Sequence, residues 1–345
     1  MEVVTMNITE LKDFNYDDLV KERGTKKFGY VNVAKKVDGS DIRIPYMVVT
    51  GAEEGLTLLV EACCHGDEQE GTEGLIKLYK ELDPMKLKGT LVGIPALNLE
   101  SFNAGDRSAP QDWSHQDMNR CFPGDPSSFI TKKVAHYYWE NFVKNADLSI
   151  SFHGGGNHLW IEPLSLYPCG SDPKLNDMVR RMAYATGTKL IWIETMESTE
   201  GCGFQESNAY EDGVASITVE LGGQCIRHEH RDEMVAMAAD TIRNVMMEFD
   251  MLEGEVPYID EHIEIETLYL HTLDGGFHKV KVKPMEFVKE GTVLSEIEDL
   301  FGNKVSELIA PFDCYICSYW CYPVIQPGNW GFILGKPLHP EKVGL

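Results

Sequence analysis

The stretch Leu56-Thr57-Leu58-Leu59-Val60-Glu61-Ala62-Cys63-Cys64-His65-Gly66-Asp67-Glu68 decides how the chain is read. Its first half is almost continuously apolar, which suits a central strand covered on both faces. The strand runs into a His-Gly-Asp-Glu loop. Residues 71–82 then carry Leu75, Leu78 and Leu82 at helical spacing. Strand, polar loop and amphipathic helix in that order are the repeating unit of an α/β domain.

The same grammar extends outward. Upstream, 30–34 and 42–49 alternate as two antiparallel strands joined by an Asp38-Gly39 turn. Downstream, 90–94, 148–152, 189–193 and 215–221 read as further strands. Residues 129–143, 177–186 and 229–251 read as helices. The expected fold class is α/β, with a mixed and mostly parallel sheet flanked by helices. Segment 157–213 lies where a substrate pocket would be shaped, and its pattern is not readable beyond the helix and strand just named. Past Gly254-Glu255-Val256-Pro257 the pattern changes to short strands with turns at Asp274-Gly275-Gly276, Lys289-Glu290-Gly291, Phe301-Gly302-Asn303 and Gln326-Pro327-Gly328-Asn329. Two domains are therefore expected: 1–256, carrying the chemistry, and 257–345, a smaller all-β barrel or sandwich.

Composition narrows the function. The 345 residues carry a formal net charge of −24, so binding to nucleic acid is disfavoured, because phosphate contacts need clustered Lys and Arg. No apolar run is long enough to span a bilayer, and residues 1–13 lack the basic-then-apolar order of an export signal. Nine cysteines without a repeating framework suit free thiols in a reducing cytoplasm. The expectation is a cytoplasmic protein acting on a small molecule, with no nucleic-acid or membrane partner and with its oligomeric state open.

Four ionisable side chains fall at strand ends. His65 and Glu68 follow the first buried strand, His153 follows 148–152, and Glu220 lies at the end of 215–221. The carboxyl ends of strands in an α/β sheet line the ligand crevice, so these groups can converge. Two imidazoles and a carboxylate suit zinc with a fourth position left for water. A free carboxylate such as Glu220 can move the proton of an activated water. Against this, His-Gly-Asp-Glu alone is ordinary loop composition. A second cluster, Asn98, Arg107 and Asp117-Met118-Asn119-Arg120-Cys121-Phe122-Pro123-Gly124, occupies a long connection between about 97 and 126. Its arginines suit oxyanion or carboxylate binding. They equally suit ion pairs that tie down the loop, and the residues alone leave both open.

Taken in order, His65-Gly66-Asp67-Glu68, the Asn98–Arg107–Asp117-Met118-Asn119-Arg120-Cys121-Phe122 run, His153 and Glu220 resemble the succinylglutamate desuccinylase/aspartoacylase family, which is related to zinc carboxypeptidases. The resemblance covers most of 40–225. It implies a zinc carboxypeptidase-like catalytic domain and one Zn2+ held by His65, Glu68 and His153. It further implies Glu220 as general base and acid, Arg107 on the scissile carbonyl, and Asn119 and Arg120 on a substrate carboxylate. The implied reaction is hydrolysis of an N-acyl amino acid or a related small N-acylated amine. A peptide-cleaving carboxypeptidase and a non-catalytic binding protein are the alternatives. One position departs from the pattern: the family commonly has Asp-x-His at the third ligand, whereas this chain has Ser151-Phe152-His153. That loses a carboxylate expected to orient the imidazole.

Several other residues are set aside. Adjacent Cys63 and Cys64 point to opposite faces of a strand, so at least one belongs to the core. His228 and His230 fall at an expected helix start, and Arg180 and Arg181 fall within a helix. His115, His158 and Tyr210 are not placed by spacing. Residues 288–291 and 309–312 have the rhythm of biotinyl and lipoyl carrier folds without an attachment lysine motif. A wall that narrows the site is the expected role of this segment.

Overall fold

The computed structural model describes residues 6–224 and 229–340. The first part of the chain forms β1 (Asn7–Glu10), β2 (Thr25–Lys35), β3 (Asp41–Thr50), β4 (Glu53–Ala62), β5 (Lys88–Ile94), β6 (Leu148–His153), β7 (Leu159–Cys169), β8 (Leu190–Thr195) and β9 (Ala215–Gly223). Its helices are α1 (Tyr16–Val20), α2 (Glu70–Glu81), α3 (Leu99–Ala104), α4 (Ile130–Asn141), α5 (Pro173–Ala185), α6 (Met196–Thr199), α7 (Gln205–Glu211) and α8 (Arg231–Glu248). Short strands follow: β10 (Ile263–His271), β11 (Gly276–Val280), β12 (Phe287–Val288), β13 (Val293–Glu298), β14 (Lys304–Ile309), β15 (Cys314–Trp320), β16 (Val324–Ile325) and β17 (Trp330–Pro337).

A large sheet runs in the order β1-β2-β3-β5-β4-β6-β9-β7-β8-β10-β17-β15-β12. The expectation of a mostly parallel sheet is corrected. Parallel pairing is confined to β1–β2, to the centre β5–β4–β6–β9, and to β7–β8–β10. The remaining pairs are antiparallel, because the chain returns through hairpins and short links at both ends. The 30–34/42–49 hairpin forms as expected, with Ala34 opposite Ile42.

The centre of the sheet is covered on both faces. Leu58, Val60 and Ala62 of β4 pack into the layer under α2, α5 and α8, while Leu59 packs into the layer under α1 and α4. Both sets are fully buried. That accounts for the unbroken apolar run, each such leucine contributing about 1.5–3 kcal/mol on removal from water. β6 and β9 differ. Leu148, Ile150 and Phe152, with Ala215, Ile217, Val219 and Leu221, enter the first layer. Ser149, Ser151, His153, Ser216, Thr218 and Glu220 alternate with them and face the other way. A polar stripe thus runs up one face of two central strands, with α7 packed over it.

β15 also pairs with β7, which closes β7-β8-β10-β17-β15 into a ring of five strands. Leu164, Leu166, Leu190, Trp192, Ile263, Ile265 and Ile333 fill it. After residue 257 the described residues contain strands and turns without helix, as the sequence implied. A second sheet, β14-β13-β11-β16, shares no strand pairing with the ring. Leu294 and Leu308 join Ile316, Phe332 and Leu334 in one further core. No described helix is long and apolar enough to cross a membrane.

Candidate active site

The end of β4 opens into a turn of residues 63–69 before α2, and that turn carries His65 and Glu68. Gly66 is required there: a Cβ would lie 2.0 Å from the Ser101 carbonyl carbon of α3. The Gly66 N–H instead donates to Ser101 Oγ at 2.9 Å, which docks the turn on the next connection. His153 is the last residue of β6, and its backbone partner on β9 is Glu220.

Three side chains meet at one point. His65 Nδ1 lies 2.9 Å from Glu68 Oε1. His153 Nδ1 lies 2.8 Å from Glu68 Oε2 and 3.2 Å from His65 Nδ1. All three residues are buried. The other side of His65 is fixed, because Nε2 sits 2.8 Å from Asp117 Oδ1. An ionised carboxylate only accepts, so Nε2 carries the proton and the neutral ring presents a lone pair at Nδ1. That lone pair faces a carboxylate oxygen, and two acceptors at this distance need a proton or a cation between them. Two imidazole nitrogens and a carboxylate oxygen, within 4.8 Å of one another, form a donor set that fits a zinc ion. Although burial alone would raise the Glu68 carboxyl, the two imidazoles hold it well below the ordinary range. Glu68 in turn holds the His153 imidazole up to about 9 against the effect of burial.

Asp117 is the residue that the sequence reading passed over. One carboxylate oxygen receives His65 and the Asn119 N–H, and the other receives Arg107 Nε at 3.2 Å and Nη2 at 2.9 Å. Arg107 Nη1 reaches Glu68 at 3.1 Å. Arg107 therefore does tie down its loop, and its side chain still lines the cavity with 39% exposure. Asn119 Oδ1 accepts from the Gln205 N–H at 3.1 Å, fixing the start of α7. Arg120 is exposed, with its guanidinium 4.4 Å from the centre of the Phe204 ring. The connection between 97 and 126 is less irregular than expected, for α3 and a short 3-10 turn at Met118–Arg120 lie within it.

A cavity with about 580 Å³ of empty space opens on this centre. His65, Glu68, Arg107, Asn119, Arg120, His153 and Glu220 all line it, whereas Asn98, from the second cluster, caps α3 by accepting from the Ser101 N–H at 3.3 Å. Burial pushes the Glu220 carboxyl up to about 7, and one of its oxygens has no hydrogen-bond partner. The far wall was not foreseen. Glu194 and Glu206 line it, as do Trp192 and Phe204. Tyr269, Trp330 and Ile333 close it from β10 and β17. Glu206 Oε2 accepts from Thr218 Oγ1 at 3.0 Å. Burial raises both carboxyls; Glu206 adds to the effect on Glu194, which is pushed up to about 8, while Arg120 works against the rise in both. Glu194 stands two residues beyond Trp192 within β8, on the same side of the strand, and Glu206 is the second residue of the short helix α7.

The residues set aside stay out of the cavity. Every described cysteine is free, and burial pushes the Cys63 and Cys64 thiols up, away from the reactive thiolate. His158 stacks on Trp320, Tyr210 bonds Asn176, and His115 is exposed. Arg180 pairs with Asp177, Arg181 pairs with Glu248, and His230 packs on Trp160. His228 lies outside the described residues.

Comparison with known proteins bears on this geometry. A family model for the succinylglutamate desuccinylase/aspartoacylase catalytic domain matches residues 54–248. The N-alpha-acetyl-L-2,4-diaminobutyric acid deacetylase of Halomonas elongata is 26% identical over 273 residues, covering 77% of each chain. A succinylglutamate desuccinylase structure from a Silicibacter species superposes with a TM-score of 0.81 at 25% identity, over 92% of this chain and 96% of that one. The product-bound ectoine utilization protein EutE (DoeB) of Ruegeria pomeroyi gives 0.83 at 24% identity, over 91% and 96%.

Proposed function

Because the chain belongs to the succinylglutamate desuccinylase/aspartoacylase family, we propose that it is a zinc-dependent hydrolase of the amide bond in small N-acyl amino acids. The observation that carries this is the convergence of His65, Glu68 and His153 beside an unpartnered Glu220 in one cavity. In this reading those three residues hold one Zn2+, whose Lewis acidity lets a water ionise near neutral pH. Glu220, poised near 7, takes the proton of the attacking water and passes it to the leaving nitrogen. Asp117 keeps the His65 lone pair turned inward. Arg107, anchored on Asp117 and Glu68, offers positive charge where the carbonyl oxygen becomes anionic. Arg120, with Asn119 beside it, receives the substrate carboxylate.

Two further acids narrow the proposed substrate class. Glu194 and Glu206 line the same cavity, which favours a substrate bearing a free ammonium group. The Halomonas relative is named for a diamino acid substrate. We therefore take an N-acetylated diamino acid as the preferred substrate. Aromatic closure by Tyr269 and Trp330 favours such compact molecules over peptides. The division into residues 1–256 and 257–345, the zinc carboxypeptidase-like cast of the sheet and a cytoplasmic location belong to the same proposal, with no nucleic-acid or membrane partner.

The test is metal analysis of the purified protein, followed by hydrolysis of N-acetyl diamino acids, neutral N-acetyl and N-succinyl amino acids, and dipeptides. Stoichiometric zinc and release of acetate from a diamino acid are expected. Zinc-independent turnover, or dipeptides cleaved faster than any N-acyl amino acid, would overturn the proposal.

A further inference from the structure

The two imidazoles of the centre are supported unequally. His65 has its outer nitrogen on Asp117, whereas His153 Nε2 is buried without a hydrogen-bond partner. The residue that would orient it in relatives, two positions upstream, is Ser151 here. Ser151 does not stand alone. Its backbone partner on β4 is Glu61, and its hydroxyl donates to Glu61 Oε2 at 2.6 Å. Glu61 is fully buried, and its Oε1 also lacks a partner.

One buried donor site and one buried acceptor thus lie on adjacent strands without partners of their own. Side chains at 61, 151 and 153 share one face of the sheet, since 151 and 153 are two apart and 151 is bonded to 61. A buried carboxylate is costly unless positive charge or hydrogen bonds meet it. We infer that Glu61 is a positioning residue for the metal centre: with one oxygen held by Ser151, its other oxygen, unbonded here, is the acceptor available to His153 Nε2–H when a metal holds Nδ1. It would supply from the neighbouring strand the carboxylate that position 151 lacks. The consequence is a fixed tautomer and a more basic Nδ1 turned toward the metal.

This inference rests on His153 being a metal ligand, so the experiment separates the two. Zinc affinity of the metal-free protein is measured by chelator competition, alongside its melting temperature. Glu61→Gln preserves shape and should weaken zinc affinity about 10- to 100-fold. Adding Ser151→Asp to that variant should restore affinity to within about threefold, because the carboxylate returns by the other strand. The double variant also stands as the test if Glu61→Gln fails to fold. Wild-type affinity in Glu61→Gln, or a double variant that binds no better than the single one, overturns the role of Glu61. Unchanged affinity in His153→Ala overturns the metal centre itself.

Discussion

At the scale of single residues, the cavity brings charges of both signs together. Arg120 favours the ionised forms of Glu194 and Glu206, and Arg107 does the same for Glu220. Glu220 is the proposed proton carrier. Glu220→Gln keeps the side chain's shape and the metal ligands but removes proton transfer. It should retain zinc while kcat falls about 10²- to 10⁴-fold; a variant with near-normal kcat removes Glu220 from the mechanism. Glu194 gives a pH signature. With its carboxyl pushed up to about 8, it is protonated at pH 6.5 and charged at pH 9. KM for a substrate with a free ammonium should drop about fivefold over that range, the worth of roughly 1 kcal/mol from charging an acceptor. A neutral N-acetyl amino acid should show no such drop, and parallel pH profiles for the two substrates would dismiss the ammonium site. The sign for folding is opposite. The folded protein keeps a proton that the unfolded chain releases near 4.5, so this group costs stability as pH rises from there toward 8.

At the scale of elements, α2 carries the turn that bears two of the metal-binding candidates and must lie close to its neighbours. A Cβ on Gly74 would meet Ala238 Cβ of α8 at 2.4 Å and a backbone nitrogen at 2.9 Å. Gly74→Ala gains about 1 kcal/mol in helix propensity, yet overpacking costs about 1–3 kcal/mol. Urea unfolding should show net destabilisation; a stabilised variant would mean that the helices tolerate a wider spacing. The elements also show what was legible in the sequence. The buried strand before His65 and the leucine spacing of α2 were plain, because each follows from one unbroken pattern. The strand 148–152 is buried throughout, yet polar Ser149, Ser151 and His153 alternate with apolar Leu148, Ile150 and Phe152. The same alternation in β9 marks the face on which the chemistry sits. β7 was missed because Pro163 and Pro168 break its pattern. Pro163 is tolerated at the register shift between Ile161 and Leu164, and Pro168 lies beyond Leu166, the last residue paired with β9.

At the scale of the whole molecule, the four candidates at strand ends were legible from topology, since parallel strands deliver their carboxyl ends to one rim. The far wall was not, because it depends on how a later segment folds back. β7 and β8 precede residue 257, while β10, β15 and β17 follow it, and all five close one ring. A fragment of residues 1–256 leaves the partner edges of β7 and β8 bare and uncovers Leu166 and Trp192. It should be recovered as aggregate when examined by size-exclusion chromatography. A soluble, monomeric fragment with native helical circular dichroism would show instead that the two parts fold independently.

The shared ring also limits how such a protein can be re-engineered or can diverge. Tyr269 and Trp330 line the cavity from β10 and β17, in a ring that also contains β7 and β8 from before the supposed boundary. Exchanging the last ninety or so residues with a relative, as a cassette for new selectivity, would break staves of a single cask. A graft that respects the joinery would have to bring β7 and β8 along with it.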